Sequence, residues 1–248
     1  MNPLQLLQKL RFRISEVLSI CNLIFVEDKD KNFRAIFNIT NIESQLANAN
    51  DYQQAQKLID IYHPELNTLY QKYQSGSKYL INQRYDLETL IQLPPNTLGH
   101  QYAKWMKQSN LDQDYYLKIL DLEVNTIFDF LRVRYIKVHD IIHALLGLGN
   151  SFEEEFYLTS IGLGNLFNPA SFVVFITAFI RLGLKKNLFK LKQLWEVIVY
   201  GYIQAKESKN LLAVEWENYW EMDVIELKKN LKLPLHIDRI VFQDKTGK

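Results

Sequence analysis

Hydrophobic residues recur every three to four positions along most of the chain, as they do on one face of an α-helix. This period predicts helices at residues 4–25, 52–62, 99–107, 114–146, 152–163, 170–184, 188–205 and 211–231. The 9 glycines and 6 prolines are too few and too dispersed for an all-β sandwich. The sequence therefore predicts an all-α fold, a multi-helix bundle that forms a single domain over residues 1–248.

Residues that cap helices mark several boundaries of this pattern. Asp51 and Ser151 are predicted N-caps, since their side chains can accept hydrogen bonds from the backbone of a first helical turn. Pro64 and Pro169 suit first-turn positions, where no backbone N–H is needed. The Gly-Leu-Gly-Asn stretch at 147–150 is expected to end the helix before it.

Two interruptions of the helical pattern are also predicted. The segment 114–146 is long for one globular helix, so we expect a break near Asn125 or Thr126, either of which can cap a second piece. The adjacent Pro94 and Pro95 exclude a regular helix from residues 91–99 and favour a rigid extended connection.

Charge and cysteine content narrow the classes of partner. The chain has 29 Lys and Arg residues against 28 Asp and Glu residues, so it lacks the positive excess expected of a nucleic-acid-binding protein. Its one cysteine, Cys21, can form neither an internal disulfide nor a cysteine-based zinc cage. The longest apolar run, 170–180, is about half of the ~20 residues that a membrane-spanning helix needs. We expect a soluble protein.

Three potential metal ligands share one face of the helix predicted to end near residue 148. At ~100° per residue, His139 and His143 lie ~40° apart around the axis, and Asp140 lies ~60° from His143. A Ser-x-x-Glu capping box at 151–154 starts the next helix and puts Glu155 in its first turn. In an antiparallel hairpin, Glu155 is then level with His143. Two imidazoles and two carboxylates can surround one divalent ion.

Other interpretations of the same residues stay open at this point. A histidine on a partly apolar helix is also typical of a hydrogen-bonded core residue, and the acidic run 153–155 suits the positive end of a helix dipole. A His-Glu-x-x-His metalloprotease would need Glu as its general base where Asp140 stands. An HD-type phosphohydrolase would draw a further His and Asp from other helices.

Two sequence blocks carry a family resemblance. Residues 93–106, LPPNTLGHQYAKWM, and 134–148, RYIKVHDIIHALLGL, resemble the coenzyme Q biosynthesis protein four family. That family has a His-Asp-x-x-His motif followed by eleven residues and a Glu, and eleven residues separate His143 from Glu155 here. The segment 211–234 also looks like the family's last helix. The resemblance covers about residues 78–233.

Membership of this family implies a site and a chemistry. The resemblance implies that His139, Asp140, His143 and Glu155 bind a divalent metal ion and form the catalytic centre. It also implies an all-helical domain with an apolar channel for an isoprenoid tail, other quinone-biosynthesis proteins as partners, and prenylated aromatic intermediates as substrates. The mixed ligand set allows zinc, iron or manganese, and magnesium with an oxygen-rich first shell. We expect a bacterial-type member that is cytoplasmic or peripheral on the cytoplasmic face of a membrane.

Three further residues are candidates for substrate binding. Arg134 could neutralise a substrate carboxylate or pyrophosphate, although it could equally pair with Asp129 or Glu123. Leu146 and Phe156 lie close to the proposed ion in sequence and could line the start of the channel. The segment 170–184 is apolar all around its axis, which is typical of a central bundle helix and compatible with a channel wall.

The aromatic pair Trp216 and Trp220 also has two interpretations. Such i, i+4 spacing is more typical of a core than of a binding site. With Tyr219, the pair also suits a homodimer interface or a membrane surface.

The resemblance implies two alternative functions. The first is a metal-dependent, oxidative decarboxylase of prenylated 4-hydroxybenzoate-type lipids, acting in ubiquinone or other prenylquinone biosynthesis. The alternative is a scaffold that binds an isoprenoid lipid without converting it and organises the enzymes of the pathway.

Overall fold

The structure, a computed structural model, describes residues 49–82, 84–114, 124–166 and 169–237. Its helices are α1 Ala49–Tyr62, α2 Pro64–Gln74, α3 Tyr79–Asn82, α4 Leu87–Leu90, α5 Leu98–Ser109, α6 Ile127–Leu146, α7 Phe152–Leu166, α8 Pro169–Leu184, α9 Leu188–Lys206, a 3-10 helix Trp216–Asn218 and α10 Val224–Leu231. Within these ranges the one β feature is an isolated bridge between Thr97 and Asp223. The predicted all-α fold is confirmed. The helix predicted at 4–25 lies outside the described residues.

The chain divides into two compact units. One comprises residues 1–58 and 167–196, and the other comprises residues 59–166 and 197–248. All four predicted metal ligands belong to the second unit. The single domain, the apolar channel and the homodimer stay predictions. None of the helices in the described ranges is both long and apolar enough to cross a membrane.

Helix α6 begins at the predicted break. The Thr126 hydroxyl accepts a hydrogen bond from the Asp129 N–H at 3.2 Å, and the Asp129 carboxylate accepts one from the Thr126 N–H at 3.0 Å. This reciprocal capping box satisfies two N–H groups that a helix start leaves unpaired. The helix ends as predicted at Gly147, whose φ of 71° lets the Leu148 N–H donate to the His143 carbonyl at 3.0 Å.

The buried face of α6 forms part of the core of the second unit. Phe130, Val138, Ile141 and Leu145 are completely buried. Removing a side chain of this size from water contributes roughly 1.5–3 kcal/mol. This packing fixes the helix that carries the histidines.

A buried arginine ties α6 to a distant part of the second unit. The Arg134 guanidinium donates to the Leu80 carbonyl at 2.5 Å, the Val214 carbonyl at 2.6 Å and the Glu217 carboxylate at 3.0 Å. The Tyr85 hydroxyl donates to the same Glu217 oxygen at 2.8 Å. Arg134 therefore pairs with Glu217 and not with Asp129, whereas Glu123, the other partner that the sequence allowed, lies outside the described residues.

The predicted helix at 211–231 is wrong over its first half. Residues 211–223 form turns and a 3-10 helix before α10 begins. The Met222 and Trp220 carbonyls accept hydrogen bonds from Leu98 N–H at 3.0 Å and Gly99 N–H at 2.8 Å, at the start of α5. A Cβ at position 99 would lie only 3.0 Å from the Trp220 oxygen, so glycine permits this close approach.

The aromatic pair belongs to the core of the second unit. Trp216 is completely buried, and its indole N–H donates to the Leu211 carbonyl at 3.1 Å. The Trp220 ring lies 4.7 Å from the Tyr85 ring and 5.4 Å from the Tyr102 ring, centroid to centroid. The core interpretation is confirmed for Trp216, and Trp220 is half-buried against these two tyrosine rings.

Two other local expectations differ from the structure. Helix α1 begins at Ala49 and includes Asp51, so Asp51 is not its N-cap. Residues 91–97 form turns in place of an extended connection, and the Thr97 N–H donates to the Pro94 carbonyl at 2.9 Å. Pro64 and Pro169 are the first residues of α2 and α8, as predicted.

Candidate metal centre

Three side chains from α6 and α7 converge at one point. The Nε2 atom of His139 lies 3.4 Å from Glu155 Oε2, and the Nε2 atom of His143 lies 3.5 Å from Glu155 Oε1. One ligand atom from each residue lies within 4.8 Å of the other two. Two atoms bound to one ion at ~2.1 Å lie about 3.0–3.5 Å apart at ligand angles of 90–109°, so the two distances from the histidines to Glu155 suit a shared ion.

The turn between α6 and α7 brings Glu155 to the histidines. The Ser151 N–H donates to Glu154 Oε2 at 3.1 Å, and the Glu154 N–H donates to the Ser151 hydroxyl at 3.4 Å. The other Glu154 oxygen accepts from the Gly149 N–H at 2.8 Å. This confirms the predicted capping box and assigns Glu154 to the turn, which leaves Glu155 facing α6.

Asp140 occupies a different place from the other three predicted ligands. Its Oδ1 atom lies 3.2 Å from Nδ1 of His139, on the opposite side of the ring from Glu155. A carboxylate at Nδ1 favours a proton on that nitrogen and leaves the Nε2 lone pair for a ligand, which is a common arrangement behind metal-binding histidines. A direct bond from Asp140 to the metal stays a prediction.

His143 is held between a helix and an indole. Its side chain is completely buried, and its ring lies 5.0 Å from the Trp105 ring with an angle of 19° between the planes. The Trp105 N–H donates to the Leu148 carbonyl at 2.7 Å, just after α6 ends. The sequence analysis did not identify this contact, because no local pattern links residue 105 to residue 143.

The nitrogens of His143 have no hydrogen-bond partner within the described part of the chain, although they are buried. A buried polar atom without a partner costs about 1–3 kcal/mol, so such atoms are rare without a reason. Coordination of a metal ion by Nε2 would satisfy one of them. His139 and Glu155 are partly exposed, at 24% and 39% of their side chains, so the cluster is accessible from one side.

The electrostatics of the cluster favour a cation. Burial disfavours the protonated form of His139, but hydrogen bonds and negative charge from Asp140 and Glu155 outweigh it and raise the pKa of His139 to about 10. Burial acts against ionisation of Glu155, but His139 and His143 hold the pKa of Glu155 well below its ordinary value. Asp140 and Glu155 thus place negative charge around His139, and a divalent ion between Glu155 and His139 would balance that charge.

A tyrosine borders the same cluster. The Tyr135 ring lies 5.8 Å from the His139 ring. Burial and the negative charge of Glu155 raise the pKa of Tyr135, so its phenol is neutral at physiological pH. The sequence analysis did not single out this residue.

The structure also places the three residues that the sequence suggested for substrate binding. Leu146 and Phe156 are buried, at 5% and 7% exposure, and the Phe156 ring lies 4.4 Å from that of Phe152. Arg134 donates to protein groups as described above. Their contacts with a substrate stay predictions. Nδ1 of His100 lies 2.9 Å from the Ile91 carbonyl, so this histidine has a backbone partner and lies outside the ligand set.

Comparisons with known proteins add independent findings. Residues 77–236 match the family model described as Coenzyme Q (ubiquinone) biosynthesis protein Coq4. The mitochondrial ubiquinone biosynthesis protein COQ4 homolog of Anopheles gambiae is 28% identical over 150 residues, which are 60% of this chain and 52% of that protein. COQ4 homolog 2 of Paramecium tetraurelia is 30% identical over 155 residues, covering 61% of this chain and 70% of that protein. The chain thus spans about half the length of the Anopheles relative.

A solved structure shares the fold. A crystal structure from Nostoc punctiforme, of a protein named for ubiquinone biosynthesis, superposes with a TM-score of 0.67 at 23% sequence identity. The match covers 89% of this chain and 97% of that one.

Proposed function

The chain belongs to the Coenzyme Q (ubiquinone) biosynthesis protein Coq4 family, and we propose that His139, His143 and Glu155 hold a divalent metal ion that its function requires. The observation that carries this proposal is the convergence of the three side chains around the buried, unbonded nitrogens of His143. Two imidazoles and one carboxylate suit zinc, iron or manganese, whereas magnesium would need more oxygen ligands.

The substrate in this proposal is a polyprenylated aromatic carboxylate, of the 4-hydroxybenzoate type, from ubiquinone or other prenylquinone biosynthesis. The partly exposed edge formed by His139 and Glu155 gives the head group access to the cluster. Buried Leu146 and Phe156 flank this hairpin and would contact the apolar part of the substrate. Arg134 is left out of the substrate contacts because both of its terminal guanidinium nitrogens donate to Glu217 or to backbone carbonyls.

Each residue of the cluster has a separate task. Asp140 holds the His139 ring through Nδ1, and Trp105 holds the His143 ring by stacking, so both Nε2 atoms keep their direction toward Glu155. Glu155 supplies negative charge on the open side. The bound ion would act as a Lewis acid that stabilises negative charge on the substrate carboxylate or phenolate.

The proposed reaction replaces the ring carboxyl group by a hydroxyl group. The ring-to-carboxyl bond breaks and releases CO2, and one oxygen atom of O2 becomes the new hydroxyl group. The other oxygen atom leaves as water, which requires two electrons and two protons from an external reductant.

The test is an aerobic incubation of metal-loaded protein with a prenylated 4-hydroxybenzoate and ascorbate, followed by mass spectrometry. Loss of the carboxyl group and gain of one oxygen, with wild-type protein and not with Glu155→Ala, is the expected result. Stable binding of the lipid without any mass change would contradict the enzyme and favour the isoprenoid-binding scaffold. Partner proteins from quinone biosynthesis would then be sought by binding assays.

A further inference from the structure

Tyr135 lies beside the proposed metal centre and has no task in the function described above. It belongs to α6, about one turn before His139, and the two rings lie 5.8 Å apart, centroid to centroid. The phenol is also close enough to Glu155 for that carboxylate to raise the pKa of Tyr135. Tyr135 is therefore a neighbour of the cluster that is not a proposed ligand.

The Tyr135 hydroxyl group makes no hydrogen bond to any residue that the structure describes. The Tyr85 hydroxyl of the same unit, by contrast, donates to Glu217 at 2.8 Å. A tyrosine hydroxyl usually has a hydrogen-bond partner where the ring is removed from water, and it carries its proton at neutral pH. Tyr135 is only partly buried, so this proton is available to a molecule that reaches the cluster.

Helix α7 leaves space beside this hydroxyl group. Gly162 faces the phenol, and a Cβ atom at that position would lie 3.5 Å from Cε2 of Tyr135 and 3.7 Å from its hydroxyl oxygen. A longer side chain at position 162 would therefore cover the hydroxyl group. A glycine inside a helix costs about 0.5–1 kcal/mol relative to alanine. The structure thus gives up some helix stability where the space beside the phenol is open.

Tyr135 also lines a small and mainly apolar cavity in the second unit. The cavity lies between α6, α7 and the loop after α9, and its apolar lining includes Ile142, Leu158, Ile161 and Leu211. The tyrosine thus borders a polar cluster and an apolar space. A prenylated 4-hydroxybenzoate has the same distribution of chemistry, with a carboxylate at one end of its ring and a hydroxyl group beside a prenyl chain at the other.

We propose that Tyr135 is a specificity-determining residue whose hydroxyl group donates a hydrogen bond to the substrate oxygen para to the carboxyl group. This inference rests on the proposed function, in which the substrate carboxylate binds the ion. Tyr135 and His139 are four residues apart, ~6 Å along the helix, which is comparable to the length of a para-substituted benzene ring. The first carbons of the prenyl chain, attached next to the para oxygen, then enter the apolar cavity.

A ligand without the para oxygen would leave the tyrosine hydroxyl unpaired in the closed site. Such an unpaired group is how a binding site rejects an analogue that lacks a hydroxyl group. Packing against His139 requires only the aromatic ring, which phenylalanine also has. The hydroxyl group of Tyr135 is therefore the part of the residue that distinguishes a binding role from a structural one.

The experiment compares two ligands, 3-geranyl-4-hydroxybenzoate and 3-geranylbenzoate, which differ only in the para hydroxyl group. Their affinities for the zinc-loaded, full-length protein are measured by isothermal titration calorimetry. Zinc has no redox chemistry, so neither ligand is oxidised. The wild-type protein should bind the hydroxylated ligand about 3- to 10-fold more tightly, as one hydrogen bond provides. Tyr135→Phe should lose this preference and bind 3-geranylbenzoate as the wild type does.

Tyr73→Phe is the matched control. Tyr73 is partly buried, as Tyr135 is, and its ring lies 5.2 Å from that of Phe130 in α6. This variant should keep the wild-type preference for the hydroxylated ligand. Elemental analysis should find the wild-type zinc content in Tyr135→Phe, and thermal melting should show that both variants are folded.

Four results would overturn the inference. Equal affinity of the wild-type protein for both ligands, or an unchanged preference in Tyr135→Phe, would exclude the hydrogen bond. An equal loss of affinity for both ligands in Tyr135→Phe would make the residue a packing contact. Loss of zinc from Tyr135→Phe would make the tyrosine a metal ligand. Wild-type protein that binds zinc but neither ligand would instead contradict the substrate class of the proposed function, and the inference would fail with it.

Discussion

Two helical hairpins of this chain depart from the usual distribution of polar and apolar residues in opposite directions. The hairpin of α6 and α7 places an imidazole and a guanidinium inside, since His143 and Arg134 are both completely buried. The hairpin of α8 and the start of α9 places Leu188 and Trp195 outside, at 75% and 59% exposure. Both departures lower stability when nothing compensates for them.

The two hairpins differ in how the unfavourable placement of each side chain is compensated. The charge of Arg134 is compensated inside the protein, by Glu217 and two carbonyls, although its Nε atom has no hydrogen-bond partner within the described residues. His143 is not compensated by a hydrogen bond within the described residues, and the exposed apolar side chains of α8 and α9 are not compensated by burial. Residues that break a local rule without internal compensation are expected at functional sites. We therefore look for a ligand at His143, and not at Arg134.

The largest effect on stability is expected for Arg134→Met. The substitution leaves the Glu217 carboxylate, 9% exposed, without its cation and should lower the free energy of unfolding by about 3–5 kcal/mol, measured by denaturant unfolding. Its control is Arg132→Met two residues away, whose ion pair with Asp129 is partly exposed and should cost no more than ~1 kcal/mol. A stable Arg134→Met protein that fails to bind substrate would restore Arg134 to the substrate site.

The second prediction separates the roles of the neighbouring residues Glu154 and Glu155. Glu155→Ala removes a proposed ligand and should weaken metal affinity by more than about 100-fold, beyond the range seen for indirect partners. Glu154→Ala removes the capping box and should instead lower the free energy of unfolding by ~1 kcal/mol while the protein still binds metal. Isothermal titration calorimetry and thermal melting measure the two quantities. Equal loss of metal in both variants would contradict the assignment.

A smaller effect separates the two roles considered for Asp140. If Asp140 acts through His139 Nδ1, Asp140→Ala should weaken metal affinity by about 10–100-fold and leave one ion per chain at saturating metal. Asp140→Asn, which keeps an acceptor near Nδ1, should be affected less. Complete loss of metal from both variants, as expected for Glu155→Ala, would show that Asp140 binds the ion directly.

The smallest effect on stability is expected at an exposed apolar residue of α9. Leu188→Ser should change the free energy of unfolding by less than about 0.5 kcal/mol, because the side chain it removes is already in water. Leu145→Ser in α6 should cost more than about 3 kcal/mol, since it creates a cavity and buries a hydroxyl group. A large loss of stability in Leu188→Ser would mean that another part of the protein packs against the Leu188 side chain.

Local chemistry was enough to predict much of the fold. The Thr126 break, the Ser151 capping box and the end of α6 at Gly147 depend on residues at most five positions apart. The approach of Glu155 to the histidines followed from the same short turn. The hydrophobic period and the capping residues of a sequence indicate such short-range contacts directly.

Contacts between distant segments account for what the sequence did not reveal. The loop at 211–223 replaces a helix because its carbonyls bond to Leu98 and Gly99, more than a hundred residues earlier. The partner of Arg134, Glu217, is 83 residues away, and the stack of Trp105 on His143 joins two helices. The helical wheel placed Asp140 near the other ligands, but its rotamer directs it to His139 Nδ1.

The most direct test of the central claim is the metal content of His143→Phe. Phenylalanine keeps an aromatic ring of similar size against Trp105 but has no ring nitrogens, so the metal-free protein should melt near the wild-type temperature. After removal of metal and reloading, elemental analysis should find about one divalent ion per wild-type chain, the same in a His236→Phe control, and none in His143→Phe. A folded His143→Phe protein with the wild-type metal content would contradict the proposed centre.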